Sequence, residues 1–289
     1  MKPPPFDYVA PQTLDEALET ARQSGGEAKF LAGGQSLVPA MNFRLAQPSL
    51  LIDLNRIPDL AYIRQNGDGL HLGAMTRQRQ LELDALVARH APLLTEAMPF
   101  VAHPQIRNRG TLGGSLAHAD PAAELPVVAV ALEARLRARS TRGERWIEAG
   151  EFFQGMFSTA LAPDELLVEV ILPAPPPGTG TCFTEFSRRR GDYALMGVAA
   201  VVRLDPSGTC RDARLVFLNA GDGPTAAPRA AEMLVGRRID EPAADRAALF
   251  AASEEIAPAG NLHATPDFQR HLARVLARRA ILTAAQRAS

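Results

Sequence analysis

Two adjacent-glycine pairs constrain this chain more than any other feature: Gly33-Gly34 in AGGQS (32–36) and Gly113-Gly114 in RNRGTLGGSLAHADPAAELP (107–126). The first pair follows Phe30 and Leu31 and precedes Leu37, Val38 and Pro39. A strand that runs through a glycine-rich turn into a helix gathers several backbone N–H groups at one point. The helix N-terminus adds partial positive charge, and the two together suit a phosphate. Glycine serves there because a Cβ would block close approach. Neither pair follows GxGxxG and no GxxxxGK[ST] occurs, which argues against the usual dinucleotide fold and a P-loop.

A single Gly-Gly turn is ordinary punctuation. Two such turns, each with a serine close behind (Ser36 and Ser115), fit two anion loops on one pyrophosphate. Arg107 and Arg109 bring positive charge to the second pair. Asp120 and Glu124 follow, where they either accept from ribose hydroxyls or simply cap a helix and favour its dipole.

The totals narrow the remaining choices. A chain of 289 residues predicts roughly two compact units of about 150 residues. A net charge of -1 gives no bulk attraction to nucleic acid or anionic lipid, so any anion site must be local. The N-terminal MKPPPFDYVAP has no basic segment leading into an apolar stretch, and no run approaches the roughly 18 apolar residues of a membrane span. The expected location is the cytoplasm. Cys182 and Cys210 are too few for an iron–sulfur cluster or a structural zinc in the usual way, and are expected as buried small hydrophobes. His103 and His118 lack metal-ligand spacing, so no metal site is expected.

Along the chain, Thr13 and Glu16 form a capping box for a helix over 14–23, followed by a buried strand over 28–32, a short helix capped by Ser36, and a strand at LLIDL (50–54). Turns at 66–69 and 142–143 predict two hairpins. Between them the pattern predicts helices over about 92–102 and from Asp120 through LPVVAVAL, the latter with Pro121 in its first turn. PAPPPGTG (173–180) reads as a semi-rigid extended linker. Beyond it come strands over 181–187, 196–204 and 211–219, then helices near 226–235, 242–256 and 266–287. The last helix carries Phe268, Leu272, Val275 and Leu276 on one face. Arg270, Arg274 and Arg278 lie on another, read as a solvated face or a subunit contact.

The succession AGGQSLVPAMNFRLAQPSLLIDLNRI, LGAMTRQRQLE and PQIRNRGTLGGSLAHADPAAELP, with EFSRRRGDYALMGVAAVV further on, resembles the FAD-binding medium subunit of molybdenum hydroxylases over nearly the whole chain. Carbon monoxide dehydrogenase medium subunits and the flavin subunits of bacterial xanthine dehydrogenases are the most similar types. The resemblance implies an α+β, vanillyl-alcohol oxidase (PCMH)-type fold: two FAD-binding subdomains (1–56 and 57–175) and a C-terminal flavoprotein subdomain (176–289) with a three-stranded antiparallel sheet and helices.

It also implies site residues. Ala32, Gly33, Gly34, Gln35, Ser36 and Leu37 would form one pyrophosphate loop, and Thr111, Gly113, Gly114 and Ser115 the other. Ile106 and Ala117 would line the cleft, Asp120 and Glu124 would bond ribose or adenine, and Leu167 would touch the adenine end. Arg188 or a neighbour in the Arg188–Arg190 run would face the flavin's pyrimidine edge, and Tyr193 would shield a ring face. Relatives commonly carry Asn or Asp where Ser115 stands and Asp where Glu124 stands. The cysteine-bearing insertion of benzoyl-CoA-type reductases is missing.

The implied function is that of a flavoprotein oxidoreductase subunit with FAD as cofactor and no catalytic base of its own. It would sit in a heterotrimer, or a dimer of heterotrimers, with a molybdopterin-containing large subunit and a small subunit bearing two [2Fe-2S] clusters, and pass electrons to NAD, oxygen, a quinone or another acceptor. A self-contained FAD oxidase acting on its own organic substrate, and a nucleotide-binding scaffold, are the alternatives.

Overall fold

The computed structural model describes residues 2–288. The N-terminal segment builds β1 (Asp7–Val9), α1 (Leu14–Gln23), β2 (Ala28–Leu31), α2 (Leu37–Asn42) and β3 (Leu50–Asp53), with the strands in a parallel sheet of order β1-β3-β2. The Thr13 hydroxyl accepts from the Glu16 N–H at 3.2 Å and the Glu16 carboxylate accepts from the Thr13 N–H at 3.3 Å, which fixes the start of α1. The apolar stripe Ala17, Leu18 and Ala21 is buried. Ser36 precedes α2, but its side chain makes no capping bond, contrary to the sequence expectation.

The middle segment forms an antiparallel sheet of order β4-β5-β10-β6-β7, from β4 (Ile63–Asn66), β5 (Gly69–Gly73), β6 (Arg135–Ser140), β7 (Gly143–Glu148) and β10 (Leu166–Pro173). The two expected hairpins are β4–β5 and β6–β7. Between them lie six short helices where two helices were expected: α3 (Gln78–Leu83), α4 (Ala85–His90), α5 (Pro92–Ala97), α6 (Pro104–Arg107), α7 (Leu112–His118) and α8 (Glu124–Ala131). The 92–102 prediction ends early because Pro99 has no N–H for a further α-helical bond, leaving a 3-10 turn at Met98–Phe100. The helix expected from Asp120 starts only at Glu124. Ala119 takes a left-handed φ of 51°, and the Asp120 carboxylate accepts from the Ala122 N–H at 2.9 Å, closing a local turn in place of the first helical turn. Between β7 and β10 come α9 (Ala149–Phe152), β8 (Phe153–Gly155) and β9 (Ser158–Thr159).

Residues 174–178 link to the C-terminal segment, whose sheet order is β11-β12-β13-β14, with β11 (Thr179–Ser187), β12 (Ala194–Leu204), β13 (Cys210–Leu218) and a two-residue edge strand β14 (Thr225–Ala226) added to the three expected. Three helices follow: α10 (Pro228–Glu232), α11 (Glu241–Phe250), which loosens into a π-helical turn at Ala251–Glu255, and α12 (Pro266–Ala288). The arginine face of α12 is used within the chain. Arg274 pairs with Asp245 at 2.9 Å and Arg278 with Glu241 at 2.7 Å, both on α11. Cys182 and Cys210 are buried free thiols.

The hydrophobic cores do not follow the sheets. Alternate residues of the C-terminal strands face opposite ways. Phe183, Ala199, Val201, Val216 and Leu218 join the core of the middle segment, whereas Val198, Ala200, Val202, Leu215 and Phe217 meet the C-terminal helices. On the other side, Leu166 and Val168 of β10 join Ala17, Leu18 and Ile52 of the N-terminal segment.

Gly180 of β11 marks how tightly α12 lies on the sheet. A Cβ there would fall onto the carbonyl oxygen of Ala284 and 2.8 Å from the carbonyl carbon of Arg287. Gly180→Ala is therefore expected to cost about 2–4 kcal/mol in denaturant unfolding. Gly67→Ala, at a hairpin position with nothing near its Cβ, should stay within about 0.5 kcal/mol of the parent.

Candidate cofactor site

The end of β2 delivers the first glycine loop, and its backbone is left open. Among the described residues, the N–H groups of Gly33, Gly34, Gln35 and Ser36 donate to no acceptor in the protein. Gly34 has φ 74°, which an L side chain adopts only with strain. The Gln35 amide turns back to the Gly33 carbonyl at 3.1 Å, Ser36 is exposed and Leu37 is half-buried. Four free donors ahead of α2 are the unsatisfied set that an anion would fill.

The second pair is built differently. Thr111 caps α7, its hydroxyl accepting from the Gly114 N–H at 3.1 Å, so Gly113 and Gly114 lie inside the first helical turn. The remaining N–H groups there are also spent: Leu112 donates to Thr76 at 3.0 Å, Gly113 to Ala74 at 2.8 Å and Ser115 to Thr111 at 3.2 Å. These glycines serve close packing. A Cβ on Gly113 would stand 2.6 Å from the Ala74 Cβ, and one on Gly114 would stand 2.7 Å from the Thr111 hydroxyl and 3.4 Å from the Ala32 Cβ. Gly33 in turn abuts the second segment: its Cβ would fall on the Arg109 carbonyl, 2.8 Å from the Gly110 Cα. The expectation of two donor loops thus becomes one donor loop pressed against a glycine-bearing helix start.

The two arginines separate. Arg107 is 4% exposed and structural, pairing through Nε and Nη2 with Glu82 at 2.9 and 3.0 Å and donating to the Val101 carbonyl at 2.8 Å, so it is not available to a ligand. Arg109 is exposed and makes no side-chain hydrogen bond or ion pair among the described residues. Sequence reasoning missed Arg77 and Asn55. Arg77 donates to the Arg109 carbonyl and, at 2.5 Å, to Asn55 Oδ1, while Asn55 Nδ2 donates to the Ala32 carbonyl at 3.0 Å. Both lie in the stretches quoted for the resemblance, but nothing in their spacing showed that they would meet.

A second cluster brings Glu124 of α8 near Glu185 of β11 and Tyr193 just ahead of β12. Glu124 is 7% exposed, and burial pushes its carboxyl up to about 7, with the charge of Asp120 adding to the effect. Burial pushes Glu185 up to about 9, helped by Glu124, and its Oε2 has no partner. Tyr193 is 71% exposed to solvent, yet the surrounding protein raises its phenol, and Asp120 and Glu124 raise it further. His118, its ring tilted 43° to that of Phe157 with centroids 5.0 Å apart, is lowered by burial, against which Asp120 acts.

The remaining expected residues are scattered around this cleft. Ile106 is half-buried and Ala117 exposed on α7. Arg188 lies at the end of β11 against His263 at 2.9 Å, and the β11–β12 loop sits on His103, since a Cβ on Gly191 would fall on that imidazole ring. Leu167 is 3% exposed within the middle core, so its side chain does not reach a cleft.

A donor loop and a helix start brought together from separate sheets, with a C-terminal sheet closing beside them, define a flavin-binding domain of the vanillyl-alcohol oxidase (PCMH) type. The family model described as the FAD binding domain in molybdopterin dehydrogenase matches residues 4–175, and the CO dehydrogenase flavoprotein C-terminal domain matches residues 181–284. The chain belongs to the family of FAD-binding medium subunits of molybdenum hydroxylases. It is 43% identical to the 6-hydroxypseudooxynicotine dehydrogenase complex subunit alpha of Paenarthrobacter nicotinovorans, over 100% of this chain and 97% of the relative. It is 38% identical to the carbon monoxide dehydrogenase medium chain of Hydrogenophaga pseudoflava, over 97% of both. Among solved structures it matches carbon monoxide dehydrogenase from Hydrogenophaga pseudoflava with a TM-score of 0.96 at 38% identity over 100% of each chain. Quinoline 2-oxidoreductase from Pseudomonas putida 86 matches with a TM-score of 0.95 at 39% identity, over 100% of this chain and 99% of that one. The cofactor is FAD, and the chain is an oxidoreductase subunit. Among the described residues no helix is long and apolar enough to cross a membrane.

The acidic cluster has a pH signature in the flavin-free chain. A carboxyl whose folded pKa is raised holds its proton while the unfolded chain releases it, so stability is lost as pH rises from the unfolded value through the folded one. For Glu185 that window runs from the ordinary carboxylate range up to about 9. Glu185→Gln should melt higher than the parent above about pH 8, by on the order of 1–2 kcal/mol, and the gain should vanish near pH 5. A pH series of thermal melts of both proteins checks this.

Proposed function

We propose that this chain is the electron-exit subunit of a molybdenum hydroxylase, receiving electrons from the [2Fe-2S] clusters of a small subunit while a molybdopterin-bearing large subunit oxidises the substrate. The assembly would be a heterotrimer or a dimer of heterotrimers in the cytoplasm, and the electrons would leave to NAD, oxygen, a quinone or another external acceptor. The observation that carries this reading is the set of four unpaired amides at Gly33–Ser36, packed against the backbone of Arg109 in a chain of this family. It is supported by relatives that are named as medium chains and complex subunits.

FAD, when bound, accepts and releases electrons singly or in pairs, so it can join one-electron clusters to a two-electron acceptor. The protein binds and orients it. In our reading the loop from Ala32 to Leu37 takes the diphosphate, with Arg109 neutralising charge and Thr111, Gly113, Gly114 and Ser115 forming the packed wall behind. Asp120 and Glu124 bond ribose or adenine, Ile106 and Ala117 line the cleft, Tyr193 covers one ring face, and Arg188 or its neighbours lie toward the pyrimidine edge. The three subdomains are proposed at 1–56, 57–175 and 176–289, each containing one principal sheet.

A self-contained oxidase has one observation in its favour: Glu124, buried and held near neutrality, has the character of a proton-transferring group. The two readings part on purification from the native cell. The first expects a yellow protein releasing FAD on denaturation and accompanied by an iron–sulfur and a molybdenum subunit; a yellow chain that comes alone and turns over an organic substrate sinks it in favour of the oxidase. Gly34→Ala, which puts a side chain at φ 74°, should yield protein with less bound FAD per chain, read from the visible spectrum.

A further inference from the structure

Arg77 and Asn55 join the two halves of the cofactor site through side chains alone. Arg77 lies across an isolated antiparallel bridge from Thr111, at the start of the second glycine segment. Its Nη1 donates to the Arg109 carbonyl, the oxygen that closes over Gly33, and its Nη2 donates to Asn55 Oδ1 at 2.5 Å. Asn55 hands the connection on, donating to the Ala32 carbonyl at 3.0 Å and to Asp53, whose other oxygen accepts the Tyr8 hydroxyl at 2.5 Å. The first loop and the second are thus tied at Ala32 and Arg109, at the Gly33 end of the free amides.

The charges at this junction are unequal. Arg77 and Arg109 lie close enough to repel one another, and the Asp53 carboxylate is the acid that both of them feel. Asp53 is itself engaged by Tyr8 and Asn55. A packed junction that only needed a tie could use neutral groups, whereas a second cation beside the first raises the local positive potential and favours an anion there. Arginine also suits the geometry in a way lysine does not, because its planar fork reaches two acceptors in different directions and keeps further N–H groups free.

We propose that Arg77, held by Asn55, is a positioning residue for the FAD diphosphate: it sets the gap between the two loops and supplies, with Arg109, the positive charge that the diphosphate needs. This rests on the FAD reading above and assigns a role to a residue outside both glycine motifs.

The test uses the full chain stripped of flavin, with FAD affinity measured by fluorescence titration at low and high ionic strength, alongside the melting temperature of the flavin-free protein. Arg77→Met should weaken FAD binding by about thirtyfold or more at low salt, the range for losing charge-assisted hydrogen bonds, and should flatten the salt dependence. Asn55→Ala, which loosens the tie but keeps the charge, should lose about tenfold while retaining the parent's salt dependence. Arg77→Lys should recover the salt dependence but not the full affinity. Binding by Arg77→Met within about threefold of the parent overturns the proposal. So does a loss that leaves the salt dependence unchanged and tracks a fall in melting temperature, since that is what a merely structural tie would give. A parent chain that takes up no FAD at all is a different result and removes the FAD reading itself.

Discussion

The site depends on a contact with no room in it. Gly33 lies so close against Arg109 and Gly110 that a single added methyl group would overlap backbone atoms, which cannot swing aside as the end of a flexible side chain can. That contact holds the first loop, at the end of a parallel sheet, against the start of α7, in the segment that forms the antiparallel sheet. Gly113 on Ala74 and Gly114 beside Ala32 extend the same seam. With the seam closed, the amides of Gly33–Ser36 are left without an acceptor in the protein, the set of donors that an anion would fill.

Charge in the cleft is distributed unevenly, and the arrangement follows from which partners each group finds. Arg107 and Glu82 neutralise each other in a buried bidentate pair and so contribute rigidity, with no field left for a ligand. Arg77 and Arg109 leave the glycine end positive. At the other cluster, Asp120, Glu124 and Glu185 crowd together, and the cost of burying several carboxylates keeps Glu124 and Glu185 protonated over part or all of the neutral range. One region favours an anion and the other can donate hydrogen bonds as well as accept them, which suits a long ligand with a charged middle and hydroxylated or heterocyclic ends.

The C-terminal segment is held to the rest by more than its shared core. Glu96 on α5 accepts from the Phe183 N–H at 3.0 Å and from Arg287 at 2.9 Å, so one carboxylate fastens both β11 and α12 to the middle segment. At the far end of β11, Gly191 lets the β11–β12 loop settle on His103. The loop that carries Arg188 and Tyr193 is thereby fixed beside the cleft, although both residues are exposed.

Local chemistry made much of this legible in the sequence. The Thr13–Glu16 box, the hairpin turns, the alternating C-terminal strands and the proline linker each act over a few residues, and each has its expected counterpart in the structure. The helices between 78 and 131 were less legible, because Pro92, Pro99 and Pro104 break them into pieces too short for a clear period and because glycines inside α7 argue against a helix that the Thr111 cap and its neighbours nevertheless hold. By itself the sequence determined that two glycine pairs must matter, which family they belong to and that FAD is the cofactor. Only the tertiary structure decided what each pair does: the first offers free amides, the second has spent its own, Arg107 is consumed by Glu82, and Arg77 meets Asn55 across the seam. Those outcomes depend on which distant groups arrive as hydrogen-bond partners, and spacing along a chain carries no record of that.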